Sequence, residues 1–404
     1  MVPFVERKEM IAKKKSLLAK IAIFPLVFSF FLFSPIIFSC RAMQTETNDS
    51  QTMEASRPSY TDQAAFIAGM STPWSPLAKY EDRPVWRQFS AFFDKAWKTY
   101  DTKQLRPMKE WASTELAAPA SSRLNVYYPL SGPDFINAYT LFPRARTYIL
   151  VALQPIGEIP DFQAMSPEDF NDFFAGMKES LHDILSINYF LTAHMHATMD
   201  DEQVNGVLPI FMFFLGRENA KILDIERWYM SWDGVIVKAP AFGKKQPAPE
   251  EAVEGLRILF KKEGSSDRPQ TIYYFKLNLG NSTFTWNRHF LRFLKGFGPF
   301  ATFMKSASFV MSDRKFSAAK RFVLDQSSYI LQDDSGIPFD DFNLSAWDFG
   351  LYGVYKGPIS TFKENTQPDL AQAYREDRYV APLPFGIGYH WEANTSNLLL
   401  AIKK

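Results

Sequence analysis

Apolar positions change their period several times along this chain, and each change marks an element. From Pro84 to Tyr100 the large residues Trp86, Phe89, Phe93, Trp97 and Tyr100 recur three or four apart. That spacing draws one stripe down a helix, and Pro84 stands where a helix can begin without losing a hydrogen bond. A shorter helix is expected from Pro107 to Leu116. Ser166-Pro167-Glu168-Asp169 combines an N-cap, a first-position proline and first-turn acids, which predicts a helix reaching to about Ile187. Helices are also expected from Trp286 to about Met311 and from Ser317 to about Leu324. Asn125 to Tyr128 reads as a short strand and Thr147 to Leu153 as a buried one. Val207 to Leu215, Ile222 to Ile225, Val235 to Val237, Leu256 to Phe260 and Thr271 to Leu279 are further strand candidates, several with connections short enough for antiparallel pairing. Beyond Pro358 the pattern is irregular until the apolar Leu398-Leu399-Leu400-Ala401.

These elements predict an α+β fold, a mixed or antiparallel sheet with long aromatic-rich helices. The pattern also repeats. Phe170, Phe173, Phe174, Gly176 and Met177 align with Phe290, Phe293, Leu294, Gly296 and Phe297 at a constant offset of 120. Upstream, Tyr148 to Leu153 corresponds to Ile272 to Asn278. The expectation is two αβ repeats, 147–225 and 271–345, related by a pseudo-two-fold axis, with a cleft between them as the natural ligand position.

The N-terminus follows a different rule. Arg7, Lys8, Lys13, Lys14, Lys15 and Lys20 precede an uncharged apolar run, Ile21 to Phe38, that ends in Ile37-Phe38-Ser39-Cys40. A basic flank, an apolar core and a small residue at the break are the parts of a secretory signal. Residues 1–39 are therefore expected to be a signal segment, 40–75 a polar tether and 76–404 a single αβ domain. Three outcomes follow for the segment: lipid attachment at Cys40, an uncleaved anchor, since about twenty apolar residues span a bilayer, or cleavage beyond Ala42. All three place the body outside the cytoplasm, in the cell envelope or beyond it; the first two tether it to the membrane.

Composition narrows the remaining classes. The first 39 residues hold six Lys or Arg and two Glu of the chain's 45 and 44, so the rest carries 39 basic and 42 acidic groups, a net charge of −3. That balance argues against a nucleic-acid partner, which would need a clustered basic surface. Cys40 is the only cysteine, which excludes an intrachain disulfide, a zinc ribbon and a cysteine nucleophile in the body. The 38 phenylalanines point to an aromatic core, or to an apolar cleft.

Four places could carry chemistry. His194-Met195-His196 with Asp200-Asp201 would bind a metal if the histidines lay on a strand, where alternate side chains share a face. A third histidine is missing nearby, and no metal is expected. Ser131-Gly132-Pro133-Asp134 follows a strand, where a nucleophile could sit, yet turn chemistry accounts for all four residues. Gln332-Asp333-Asp334-Ser335-Gly336 is a polar island after a strand, and such an acidic loop can line a pocket. Gly296-Phe297-Gly298 lacks a preceding strand and is no dinucleotide fingerprint. Ser131, Asp134, Asp333 and Asp334 are thus the candidate pocket residues, with no cofactor expected and no catalytic residue assigned.

Three blocks carry a resemblance: Tyr127-Tyr128-Pro129-Leu130-Ser131-Gly132-Pro133-Asp134, Ile330 to Pro338, and Pro382-Leu383-Pro384-Phe385-Gly386-Ile387-Gly388-Tyr389. They resemble those of a group of exported bacterial proteins of unknown function with a lipoprotein-like signal peptide, over residues from about 80 to the end. The resemblance implies a bacterial origin and one continuous domain, and no activity. The expected function is a membrane-tethered envelope protein that binds a ligand or partner. The alternatives are an envelope hydrolase using acids near Asp333, and a structural envelope component.

Overall fold

The structure, a computed structural model, describes residues 58–121, 123–190, 204–240, 242, 252–264 and 268–404. Cys40, the segment before it, and His194, His196, Asp200 and Asp201 lie outside the described residues. Pro58 to Lys404 forms one compact unit.

Ten strands build a single sheet: β1 (Asn125–Pro129), β2 (Thr147–Ala152), β3 (Ala220–Met230), β4 (Ile236–Lys238), β5 (Val253–Lys262), β6 (Gln270–Lys276), β7 (Phe300–Met304), β8 (Ser327–Gln332), β9 (Trp347–Gly353) and β10 (Asn397–Lys403). Their order is β4-β3-β5-β6-β2-β1-β7-β8-β10-β9. The five central strands, β6 to β8, run parallel. Antiparallel strands extend the sheet on both sides. The fold is α+β with a mixed sheet. Central strands are apolar throughout because both their faces are covered: every residue of β1, β2 and β7 is buried.

The helices are α1 (Tyr60–Ile67), α2 (Pro84–Tyr100), α3 (Arg106–Glu115), α4 (Ala117–Ser121), α5 (Phe135–Leu141), α6 (Pro167–Ser180), α7 (His182–Ile187), α8 (Leu208–Arg217), α9 (Asn281–Phe284), α10 (Arg288–Lys295), α11 (Ser317–Gln326) and α12 (Pro368–Glu376). The pleat sorts side chains between two cores. Val126 and Tyr128 of β1 join one core with α1, α2, α5, α6 and α8. Tyr127 joins the other with α10, α11 and α12. The first core consumes much of the aromatic content, in edge-on pairs such as Phe89–Phe174 and Phe66–Phe162, with centroids 4.6 and 4.9 Å apart.

Several expectations are corrected. Val207 to Leu215, expected as a strand, is helix α8, entered through Pro209 and buried at Leu208 through Gly216. A segment apolar on every side has no readable period. The helix expected from Trp286 to Met311 ends at Lys295, and β7, the strand beside β1, follows. The tail beyond Pro358 holds α12 and β10. The tether expected to residue 75 includes α1, where the Ser59 hydroxyl accepts from the Asp62 N–H at 3.1 Å in a capping box, and Phe66 and Ile67 are fully buried. Apart from these corrections, the strands aligned by the repeat, β2 and β6, are parallel neighbours. The helices aligned with them, α6 and α10, cover opposite faces of the sheet.

Candidate functional site

Chain connections define where a site can form. From β1 the chain passes through α5, on the first face, to β2 on one side. From β7 it passes through α11, on the second face, to β8 on the other side. The winding therefore reverses between the adjacent strands β1 and β7. Loops leaving two such strands diverge to opposite faces and open a crevice beyond their carboxyl ends, the usual ligand position in parallel sheets.

A cavity of about 270 Å³ lies there. Its walls come from the loops after β1 (Leu130, Ser131, Gly132, Asp134), β2 (Leu153, Gln154), β6 (Leu277, Asn278, Leu279) and β7 (Lys305 to Ser308), with Tyr189 and Phe190 beyond α7. Both loops at the reversal hold strained backbone. Leu130, Ser306, Ser308 and Phe309 have φ of 62°, 48°, 52° and 55°, and Asn188 beside Tyr189 has 60°. Non-glycine residues adopt this region rarely and bulky ones at a cost, so such a concentration in one place marks a constrained site.

The inner wall carries a dry ion pair. Lys305 Nζ lies 2.9 Å from Asp134 Oδ2, with side chains 1% and 3% exposed. The same oxygen accepts from Tyr128 Oη at 2.9 Å, and Asp134 Oδ1 accepts from Asn137 Nδ2 at 2.8 Å. Asp134 also caps α5. Lys305 donates again to the Asn188 carbonyl. Asn188 Oδ1 accepts from Tyr100 Oη at 2.8 Å and from Asn137 Nδ2 at 3.1 Å, and its Nδ2 donates to the Gly386 carbonyl at 3.0 Å. Burial first, and the Asp134 carboxylate next, hold the Tyr128 phenol well above its ordinary value, so it remains a donor. With each polar group of the pair matched, the wall presents no unbalanced charge to the cavity.

Asp333 lies behind the β7 loop. Its carboxylate accepts from the Ser306 N–H at 2.9 Å and from the Ser335 N–H at 3.0 Å. Ser335 Oγ donates to Asp333 and accepts from the Ala307 N–H at 2.7 Å, and Tyr389 Oη takes the Ser308 N–H at 3.1 Å. Three successive N–H groups are thus fastened from behind, which holds Ser306 in its left-handed conformation. Gly388 (φ +71°) approaches so closely that a Cβ there would stand 2.1 Å from Asp333 Oδ2. Burial, and then the neighbouring Asp334, push Asp333 up to about 7.

The four pocket residues expected from sequence therefore separate. Ser131 and Asp134 line the cavity. Ser131 Oγ donates to the Gly132 carbonyl at 3.0 Å. Asp333 supports the wall without being part of it. Asp334 faces the other way, hydrogen-bonded to Asn397 near His390, and burial raises its pKa as well. Adjacent residues leaving a strand point to opposite sides, and the Ser335-Gly336 turn does not reunite them. Sequence reading missed Lys305, Asn137, Asn188, Gln154 and Ser306. The signal for Lys305 is a lysine directly after an apolar run, but the pattern from Trp286 to Met311 reads as a helix and gives that lysine no place at a strand end.

Among the described residues, two buried side-chain oxygens of wall residues have no hydrogen-bond partner: Gln154 Oε1, on a residue 7% exposed, and Ser306 Oγ. Native interiors rarely leave such groups unmatched, and a ligand is one way to match them. Among the described residues no group of three or more His, Cys, Asp or Glu could hold a metal ion, and no helix is long and apolar enough to cross a membrane. Comparison with known protein families, with curated proteins and with solved structures finds no match.

Proposed function

We propose that this protein is a bacterial envelope protein, tethered to a membrane by its N-terminal segment, that binds a small uncharged ligand in the cavity between the β1 and β7 loops. One observation carries the binding reading. The cavity's charges are already neutralised against each other, while Gln154 Oε1 and Ser306 Oγ, on wall residues, are unmatched among the described residues. A charged ligand would face no counter-charge. A neutral one bearing hydroxyl or amide groups would satisfy both atoms and lay its apolar side on Leu153, Leu277, Leu279 and Tyr189. The volume suits a molecule of about monosaccharide size.

A hydrolase built from Ser131 with Asp333 or Asp334 has less support. Among the described residues no histidine or carboxylate accepts from Ser131 Oγ, and Asp333 is occupied with the Ser306 loop. A purely structural role leaves the cavity and its unmatched atoms without purpose.

Calorimetric titration of the full chain with neutral monosaccharides and polyols, beside sugar acids and amino sugars of equal size, tests the reading. Neutral compounds should bind, and Gln154→Leu should weaken them about tenfold, the value of about one hydrogen bond. Binding confined to the charged compounds, or to none, would refute it. For the tether, the basic flank and the apolar run ending at Cys40 are the support, and Cys40→Ser should abolish fatty-acid labelling without changing the melting temperature. Persistent membrane association without label in the native chain would assign the tether to the Ile21–Phe38 run instead.

A further inference from the structure

The sheet edge farthest from the cavity's β8 side has an unusual surface. Every residue of β4 is exposed, and β4 pairs only with β3 among the described residues. The hairpin that turns into it carries Trp232, 71% exposed, with Val235, Ile236 and Val237 beside it. Gly234 in that turn sits against α10: a Cβ there would lie 2.5 Å from the His289 ring. One turn before His289 stands Trp286, 83% exposed. Two tryptophans and three aliphatic side chains thus project into solvent around one contact, where soluble surfaces seldom collect large apolar groups.

The same helix supplies charge. Phe290 and Leu294 of α10 are buried against the sheet. Arg288, Arg292 and Lys295, at i, i+4 and i+7, fall on the opposite side and are exposed. None of the three pairs with an acidic side chain among the described residues. Glu226 pairs with Lys238 and Arg257. Asp233 is bonded by Ser231 and the Val235 N–H, which hold it ionised, so the hairpin carries one negative charge against the three cations of α10.

We infer that this edge docks onto an anionic phospholipid surface, with the hairpin and Trp286 seated at the headgroup level and the α10 cations on the phosphates. Tryptophan favours that depth, exposed aliphatic groups gain by entering it, and three cations in one stripe, outnumbering Asp233 on the hairpin, complement a negative bilayer. A peptide adding to the β4 edge would explain the open strand but neither the tryptophan pair nor the cation stripe. A single acyl chain binds a membrane only marginally, so a second contact of this kind would complete the attachment. The inference rests on the envelope tether proposed above, which brings the body to a bilayer.

Hydrogen exchange of the full chain, mixed with phosphatidylglycerol or phosphatidylcholine vesicles, tests it, with flotation reporting vesicle association in the same samples. Peptides covering 231–238 and 286–295 should exchange about tenfold more slowly on phosphatidylglycerol. The triple variant Arg288→Gln, Arg292→Gln, Lys295→Gln should lose that protection while its melting temperature holds, because each exposed cation contributes about fivefold to association with an anionic surface. Flotation with unprotected 231–238 and 286–295 peptides overturns the docking surface and leaves the tether standing. Failure to float with either lipid overturns both. Protection that is equal on the two lipids, or that rises with protein concentration without vesicles, assigns the patch to another occupant and overturns the inference.

Discussion

Asp134→Ala is expected to destabilise the folded chain by about 3–5 kcal/mol, because it leaves the Lys305 ammonium buried without its counter-charge. The loss goes beyond the pair. Tyr128 Oη and Asn137 Nδ2 both donate to Asp134, and α5 begins on its carboxylate. Set against a typical total of about 5–15 kcal/mol, such a loss leaves a marginal protein. Lys305→Met should cost less, since the carboxylate it strands keeps the donors Tyr128 and Asn137. In the double variant Asp134→Asn, Lys305→Met both charges are gone, and part of the loss should return. Urea denaturation of Asp134→Asn, Lys305→Met and the double variant at unchanged m-value measures the coupling. An Asp134→Ala cost below about 1 kcal/mol would show that water reaches the pair.

How much of this was legible beforehand depended on whether one face of an element meets solvent. Helix α2 was readable to its ends, since Trp86, Phe89 and Phe93 alternate with Arg87, Gln88 and Lys95 in the helical period. Helix α6 was readable from its cap, where Ser166 Oγ accepts from the Asp169 N–H at 3.1 Å. Helix α8 and strand β7 were not, because burial on all sides removes the polar face that reveals a period. Losing β7 concealed the reversal between β1 and β7, and with it the reason for a cavity. Ser131 and Asp134 stood out as turn residues after a strand. Lys305 could not, because its partner Asp134 is 171 positions away in the chain. Asn188 was hidden likewise: its partners Tyr100, Asn137 and Gly386 come from distant segments. Local chemistry is visible in a sequence. A network assembled from five separate segments becomes visible only when the sheet order is known.

The second large effect expected is on pH. Asp333 is fully buried, and its carboxyl is pushed from an ordinary value of 3.8 up to about 7, by burial first and by Asp334 second. Backbone and Ser335 hydrogen bonds favour the ionised form but do not outweigh these two. A carboxyl raised in this way holds its proton more tightly in the folded chain than in the unfolded one. Its contribution to stability is therefore complete below about pH 4 and is lost as pH rises through about 7. Between about pH 4 and 7 the native chain should lose stability on the order of several kcal/mol, the free-energy equivalent of that shift, with the larger part of the loss above pH 5. Asp333→Asn, which cannot ionise, should start lower, because one acceptor oxygen is replaced by a donor, and should decline less across that window, the remaining slope coming from buried Asp334. Asp334→Asn removes the like charge, so the decline should become smaller and move to lower pH. Thermal melts of the three chains from pH 4.5 to 8.5 read all of this directly. If Asp333→Asn declines as steeply as the native chain, the titrating group lies elsewhere. The Ser306 and Ser335 donors bond the ionised carboxylate more strongly than the neutral one, so the β7 loop keeps its fastening across the window.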